Sequence, residues 1–180
     1  MKNYPVVRTD KMFGTDNRTG LYSVKYIVET TESGSTVKTP TAITNGSVVK
    51  LGALVSTVTP AYTAREVYEA NDVAADTPLS EVVLIASPEV CYDERLRDLD
   101  DFTNEADTIA RAYTLPVNAM FSLTANAFDG TPAKGKLVEL KAGHKFNAVT
   151  SITSGSTKVG VIDAVETAGK YTYYVVRVTG

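Results

Sequence analysis

Side chains branched at Cβ dominate the chain: Thr occurs 24 times and Val 23 times in 180 residues, more than a quarter of the sequence. Both are stiff about χ1 and pack well on a pleated surface, so the backbone is biased toward strands. LYSVKYIVE (Leu21–Glu29) carries the bias most clearly. Tyr22, Val24, Tyr26 and Val28 fall at every second position, the period of one strand face, while Leu21, Ser23, Lys25 and Ile27 mix characters on the other. One face of this strand is therefore buried.

Further strands are predicted at Arg65–Glu69, Glu81–Ala86, Met120–Thr124, Lys136–Lys141, Lys145–Thr150, Lys158–Glu166 and Tyr171–Thr179. Turn formers separate them at Thr131-Pro132, Ala142-Gly143, Ser154-Gly155 and Ala168-Gly169, which is the punctuation of a β-barrel or β-sandwich rather than of βαβ units. Within Ile43–Gly52, Asn45-Gly46 lies between β-type segments and predicts a hairpin with a type I′ turn. TTESGSTVKTPT (Thr30–Thr41) reads as a loop. Two pairs of segments echo one another: SVVKL (Ser47–Leu51) with KLVEL (Lys136–Leu140), and VVLIASPE (Val82–Glu89) with VGVIDAVE (Val159–Glu166). They raise the reading of two similar halves, about 42–90 and 117–180.

The length suits one domain with its own core, a mainly β domain over 21–180 preceded by an extended N-terminal arm over 1–20. The arm has four basic and two acidic residues and no apolar period, so it is either frayed or tied down by pairing. No run approaches 18 apolar residues and no apolar h-region opens the sequence, so no membrane partner is expected and the chain should stay where it is made. Cys91 has no intramolecular partner and reads as a small core residue. No basic stripe or aromatic ladder points to nucleic acid.

Acids gather in one place. Between Glu89 and Asp107 eight stand against Arg95 and Arg97, a local balance of −6 in a chain of net charge −3, so the remainder carries +3. In the same stretch Leu96, Leu99, Phe102, Ala106, Ile109 and Tyr113 recur at steps of three and four, predicting one short amphipathic helix near 100–113 with its charges outward. Asp98 to Glu105 has oxygen ligands but lacks the glycine and distal glutamate of a calcium loop. Asp93 and Glu105 could serve as a glycosidase pair only if the fold brought them together, and a Cys91–His144 dyad would need the same. One histidine and one cysteine rule out the usual zinc ligand sets, and phosphate-loop, serine-elbow and dinucleotide motifs are missing. The residues therefore predict no catalytic, cofactor-binding or metal site.

NGSVVKLGAL (Asn45–Leu54), EVYEA (Glu66–Ala70), EVVLIASPEVCYDER (Glu81–Arg95), LDDFTNEAD (Leu99–Asp107), RAYTLPVNAMFSLTANAFDG (Arg111–Gly130) and GKYTYYVVRV (Gly169–Val178) resemble small structural proteins of tailed bacteriophages, the capsid decoration or head accessory proteins. Cys91 and Asp107 depart from the pattern expected at their positions. The resemblance implies a virion protein made in the host cytoplasm, a homo-oligomer that binds the major capsid protein outside the shell and stabilises the head without chemistry. Tyr4, Arg8, Lys11, Phe13 and Arg18 of the arm are the expected capsid contacts, ordering on the shell or adding to a sheet edge.

Other readings stand beside this one. A tail-tube or head–tail connector component would form rings and carry a long hairpin for stacking. A virion-displayed carbohydrate- or host-surface-binding module would need an aromatic platform, for which Tyr171, Tyr173 and Tyr174 are the candidates. An enzyme would rest on the acids of Asp93–Asp107 alone.

Overall fold

A computed structural model of the chain describes residues 4–9, 12, 20–55, 67–91, 93, 95 and 98–180. Its strands are β1 (Leu21–Glu32), β2 (Ser35–Pro40), β3 (Val48–Leu54), β4 (Val67–Asn71), β5 (Val82–Ile85), β6 (Ala110–Thr114), β7 (Met120–Thr124), β8 (Phe128–Asp129), β9 (Leu137–Leu140), β10 (Phe146–Val149), β11 (Lys158–Ala168) and β12 (Tyr171–Val178). The mainly β architecture expected from composition is present, and among the described residues no long helix interrupts it. Among the described residues no helix is long and apolar enough to cross a membrane.

Two sheets form the molecule. The first has the order β2-β1-β4-β3-β5-β6, and β1 also pairs with β6, so five strands close into a barrel with β2 hanging outside it. The second, β7-β12-β11-β9-β10-β8, is a curled half-barrel. β3 and β5 belong to both interiors. Val49, Val83 and Ile85 point into the barrel with Val24, Tyr26, Ala70, Ala110 and Ala112. Their neighbours Val48, Val82 and Leu84 point the other way and join Phe121, Leu123, Val138, Leu140 and Phe146 in the second core. The outer wall of the barrel thus plugs the concave side of the half-barrel, and each such fully buried side chain contributes about 1.5–3 kcal/mol.

The halves repeat one plan. With β7 and β8 taken as one strand interrupted by the 3-10 turn Ala125–Ala127, the second sheet runs β7/8, β10, β9, β11, β12, and the barrel runs β1, β4, β3, β5, β6. Chain order and direction correspond throughout, including the single parallel neighbour of the first strand, β4 for β1 and β10 for β8. The echoing segments occupy matching places and pair in matching register: Val48 opposite Leu84 and Leu137 opposite Val161, then Val49 opposite Val83 and Val138 opposite Gly160. Even the turn before the second strand recurs. Gly46 N–H donates to the Ile85 carbonyl at 2.8 Å and Gly135 N–H to that of Ile162 at 2.7 Å, both glycines having positive φ. The repeating unit of the first half therefore extends over β1–β6, beyond the 42–90 suggested by the echoes alone.

Three local expectations change. The amphipathic helix near 100–113 is absent: Leu99–Asp101 makes one 3-10 turn, Asn104 pairs with Ile43, Asp107 takes φ 63°, and Ala110–Thr114 is β6. Asp, Asn and Thr crowd this segment and bind backbone in preference to helix, as Thr108 does in donating to the Glu105 carbonyl at 2.6 Å. Thr30–Thr41 is no loop but the distal half of a hairpin, because Ser33 and Gly34 have φ 50° and 83°, the two positive values of a type I′ turn. Asn45-Gly46 does turn the chain, but Ile43 pairs with Asn104 and Val48 with Leu84, so no hairpin forms there.

The described part of the arm is tied down on its own domain. Val7 bridges Leu123, Arg8 N–H donates to the Ser122 carbonyl and Thr124 N–H to that of Val6, each at 3.1 Å, so residues 6–8 extend the open edge of β7. Val6 and Val7 are buried there.

Gly160 sits where β11 bulges against β9, and a Cβ at that position would fall on the Arg177 carbonyl of β12. Gly160→Ala is expected to cost about 3 kcal/mol, read as a lower urea midpoint at unchanged slope.

Candidate functional site

Among the described residues, comparison of the halves isolates two additions to the first. β1 continues past the barrel into the β1–β2 hairpin, whose residues 29–40 are all exposed. Between β5 and β6 the chain makes a long acidic lobe, residues 86–109, where β11 and β12 are joined by Gly169 and Lys170 alone. The two additions lie at the same end of the barrel. β6 begins opposite Val24, and from that point β1 runs onward into the hairpin while β6 runs back into the lobe. Lys25 of β1 and Asp107 of the lobe meet there at 2.7 Å.

Asn45 holds the lobe. Its amide donates to the Ser87 carbonyl at 2.8 Å and to Glu89 Oε1 at 3.2 Å, and its carbonyl oxygen accepts from Ser87 N–H at 2.9 Å and from Asn104 Nδ2 at 3.2 Å. A side chain only 2% exposed thus satisfies both ends of its amide with lobe groups. The sequence marked Asn45 as a turn residue; nothing in its spacing pointed to a role as the lobe's anchor.

The acids are largely spent within the molecule. Lys170 at the β11–β12 turn binds Asp98 at 2.7 Å and Asp100 at 3.1 Å, and Tyr171 donates its hydroxyl to Asp100 at 2.7 Å. Burial alone would push the Asp100 carboxyl up, but the hydrogen bonds from Tyr171 and Lys170 hold it below the ordinary carboxylate range. Burial, and then the bond to Asp100, push Tyr171 up, and the pairing with Asp98 raises Lys170. Asp93 is held low by its hydrogen bonds from Arg95, the opposite of what a glycosidase general acid requires.

Beside these pairs the lobe and the barrel wall enclose a cleft of about 600 Å³. Asp93, Asp101 and Glu105 line it with Cys91, which is half-buried at its edge rather than in the core. Val90 and Ile109, 64% and 57% exposed, form an apolar rim. Among the described residues no group of three or more His, Cys, Asp or Glu is placed to hold a metal ion.

The expected contact residues fall as follows. Tyr4 is half-buried and gives its N–H to the Asp100 carbonyl at 3.1 Å, and the Arg8 guanidinium lies 5.5 Å over the Tyr173 ring, so both pack on their own domain. Lys11, Phe13 and Arg18 lie outside the described residues. Cys91 and His144 line different cavities, and His144 instead meets Asp72 at 3.2 Å. Tyr173 is 2% exposed and Tyr174 packs edge-on against Phe128, so the three C-terminal tyrosines make no surface platform.

Comparison with protein-family models, with curated proteins and with solved structures gave no match.

Because Asp100 has a folded-state pKa below its unfolded value of about 3.9, it contributes stability above about pH 5 that is lost as pH falls through the folded value. Asp100→Asn should lower the melting temperature by about 2–4 °C at pH 7, and the gap to wild type should close below about pH 4 in a melting series.

Proposed function

We propose that this chain is a virion structural protein, a capsid decoration protein that binds the outside of the major capsid shell and stabilises the head. One observation carries the reading: two halves share a scaffold, and the hairpin and acidic lobe are added to one of them, at one end. Additions to a repeated scaffold are where binding surfaces are built. The strings that resemble phage head proteins run through β5 and this lobe, EVVLIASPEVCYDER and LDDFTNEAD.

The charge economy supports binding rather than chemistry. Carboxylates tied to Lys25, Arg95 and Lys170 shape a surface and are not free to exchange protons with a substrate. A shell offers the same contact many times, so a modest surface on each copy of a homo-oligomer suffices. In this reading the major capsid protein meets the hairpin and lobe, while the described part of the arm serves the fold.

The projecting hairpin also favours a second reading, a tail-tube or connector component, in which such a hairpin stacks one ring on the next. Cryo-electron microscopy of mature heads, unexpanded heads and tails mixed with the protein separates the two: regular density on mature shells supports decoration, and density confined to tail or vertex supports the alternative. Replacing residues 30–37 by Asn-Gly joins the cross-strand partners Glu29 and Lys38 through a two-residue turn. This variant should keep its stability within about 1 kcal/mol and lose binding by at least about ten-fold. Full binding by the variant would remove the hairpin from the contact.

A further inference from the structure

We propose that the pocket between the two halves is a binding site for a small oxyanion, a carboxylate or a phosphate. The pocket, of about 360 Å³, lies under Tyr4 and Pro5 of the arm and is lined by Tyr4, Thr44, Ser47, Asn126, His144 and Lys145 among others, with no carboxylate among the described residues of its wall. In a chain of net charge −3, a cavity bounded by Lys145, His144, three hydroxyl side chains and an amide suits an anion better than a cation.

Its parts are fixed by the junction itself. Val48 N–H donates to the His144 carbonyl at 2.9 Å, and Val73 and Gly143 form a bridge, so the β9–β10 turn that carries His144 and Lys145 is clamped to the barrel. His144 Nδ1 lies 3.2 Å from Asp72 Oδ1, and that carboxylate also accepts the Tyr26 hydroxyl at 2.6 Å. Asp72 thereby orients the imidazole, which stands in the pocket wall beside Lys145. Lys145 has no acidic partner among the described residues, whereas Lys141 in the same turn is bound to Asp129 at 2.8 Å.

The hydroxyls are not explained by the turn they sit on. Thr44, Gly46 and Ser47 correspond to Ala133, Gly135 and Lys136 in the second half, which make the same turn with the same backbone hydrogen bonds and no hydroxyl. The Thr44 and Ser47 oxygens are 3.1 Å apart, so one hydroxyl proton is used between them and the other can be donated into the pocket. An ammonium and hydroxyl donors around one cavity are groups that hold a carboxylate or phosphate.

His144 is the sole histidine of the chain, so its imidazole signal is an unambiguous probe. The test is a titration of protein labelled at histidine with inorganic phosphate, with acetate and with a short glutamate-containing peptide, at constant ionic strength, followed by NMR. Saturating shifts of the His144 ring are expected, with a dissociation constant on the order of millimolar and about ten-fold weaker binding in Lys145→Met. Lys134→Met, at an exposed turn position outside the pocket, should leave the curve unchanged. Saturation by phosphate alone assigns the site to a free or esterified phosphate, and saturation by acetate and the peptide assigns it to an acidic side chain of a partner. Linear, unsaturable shifts with every probe, or an unaltered curve in Lys145→Met, would overturn the proposal.

Discussion

Everything in this molecule depends on two short strands being buried on both faces. Val48-Val49 of β3 and Val82–Ile85 of β5 present one set of side chains to the barrel and the alternate set to the half-barrel. Neither sheet has a complete core without them: the barrel would lose Val49, Val83 and Ile85 from its interior, and the half-barrel would open its concave face to water. A strand with two dry faces cannot alternate apolar with polar residues, and Val82, Val83, Leu84 and Ile85 form the continuous apolar run that this position demands. The rest of the architecture follows from keeping that shared wall covered.

The repeated plan explains how the wall arises. In each half the second and fourth strands pair in the same register, preceded by the same glycine turn, but only in the first half is the outer face of that pair covered by the other half. In the second half the corresponding outer face of β9 carries Glu139, 1% exposed. Its carboxylate accepts from Asn147 Nδ2 at 2.8 Å and from the Thr153 backbone at 2.7 Å, so a local loop covers what a neighbouring sheet covers in the first half. One scaffold thus serves as a wall between cores in one place and as a wall under a polar loop in the other. The additions at the barrel end, hairpin and lobe, exploit the side of the first half that neither core needs.

Charge segregation has a structural side that is visible only in three dimensions. The acids of the lobe reach across to Lys25 and Lys170, residues distant in sequence, and so bind the lobe to both halves. Lys170 sits at the tip of the β11–β12 hairpin, and Tyr4 of the arm gives its N–H to the Asp100 backbone, so one acidic turn gathers the lobe, the second half and the arm. What reads along the chain as an isolated negative patch is in the fold a fastening point.

Composition and period two indicated the β class, placed β5, β7, β9, β10, β11 and β12 to within two residues and found β1 with its end three residues short, because side-chain alternation and β-branched content are local properties that strand formation reads directly. The echo of SVVKL and VVLIASPE in KLVEL and VGVIDAVE was also legible, since paired strands in matching register keep similar residues. The apolar spacing around Leu99, Phe102 and Ile109 misled, because a helical period is only an option until tertiary partners compete: Asn104 found Ile43 and Asn45 instead, and Ile109 was left 57% exposed. The hairpin at Ser33-Gly34 was hidden because serine is not a usual residue for the first positive φ of a type I′ turn. Barrel closure through β1 and β6, the sharing of β3 and β5, and the pocket around His144 and Lys145 were decided by the tertiary structure alone, because each depends on which distant segments meet, and no local pattern encodes that.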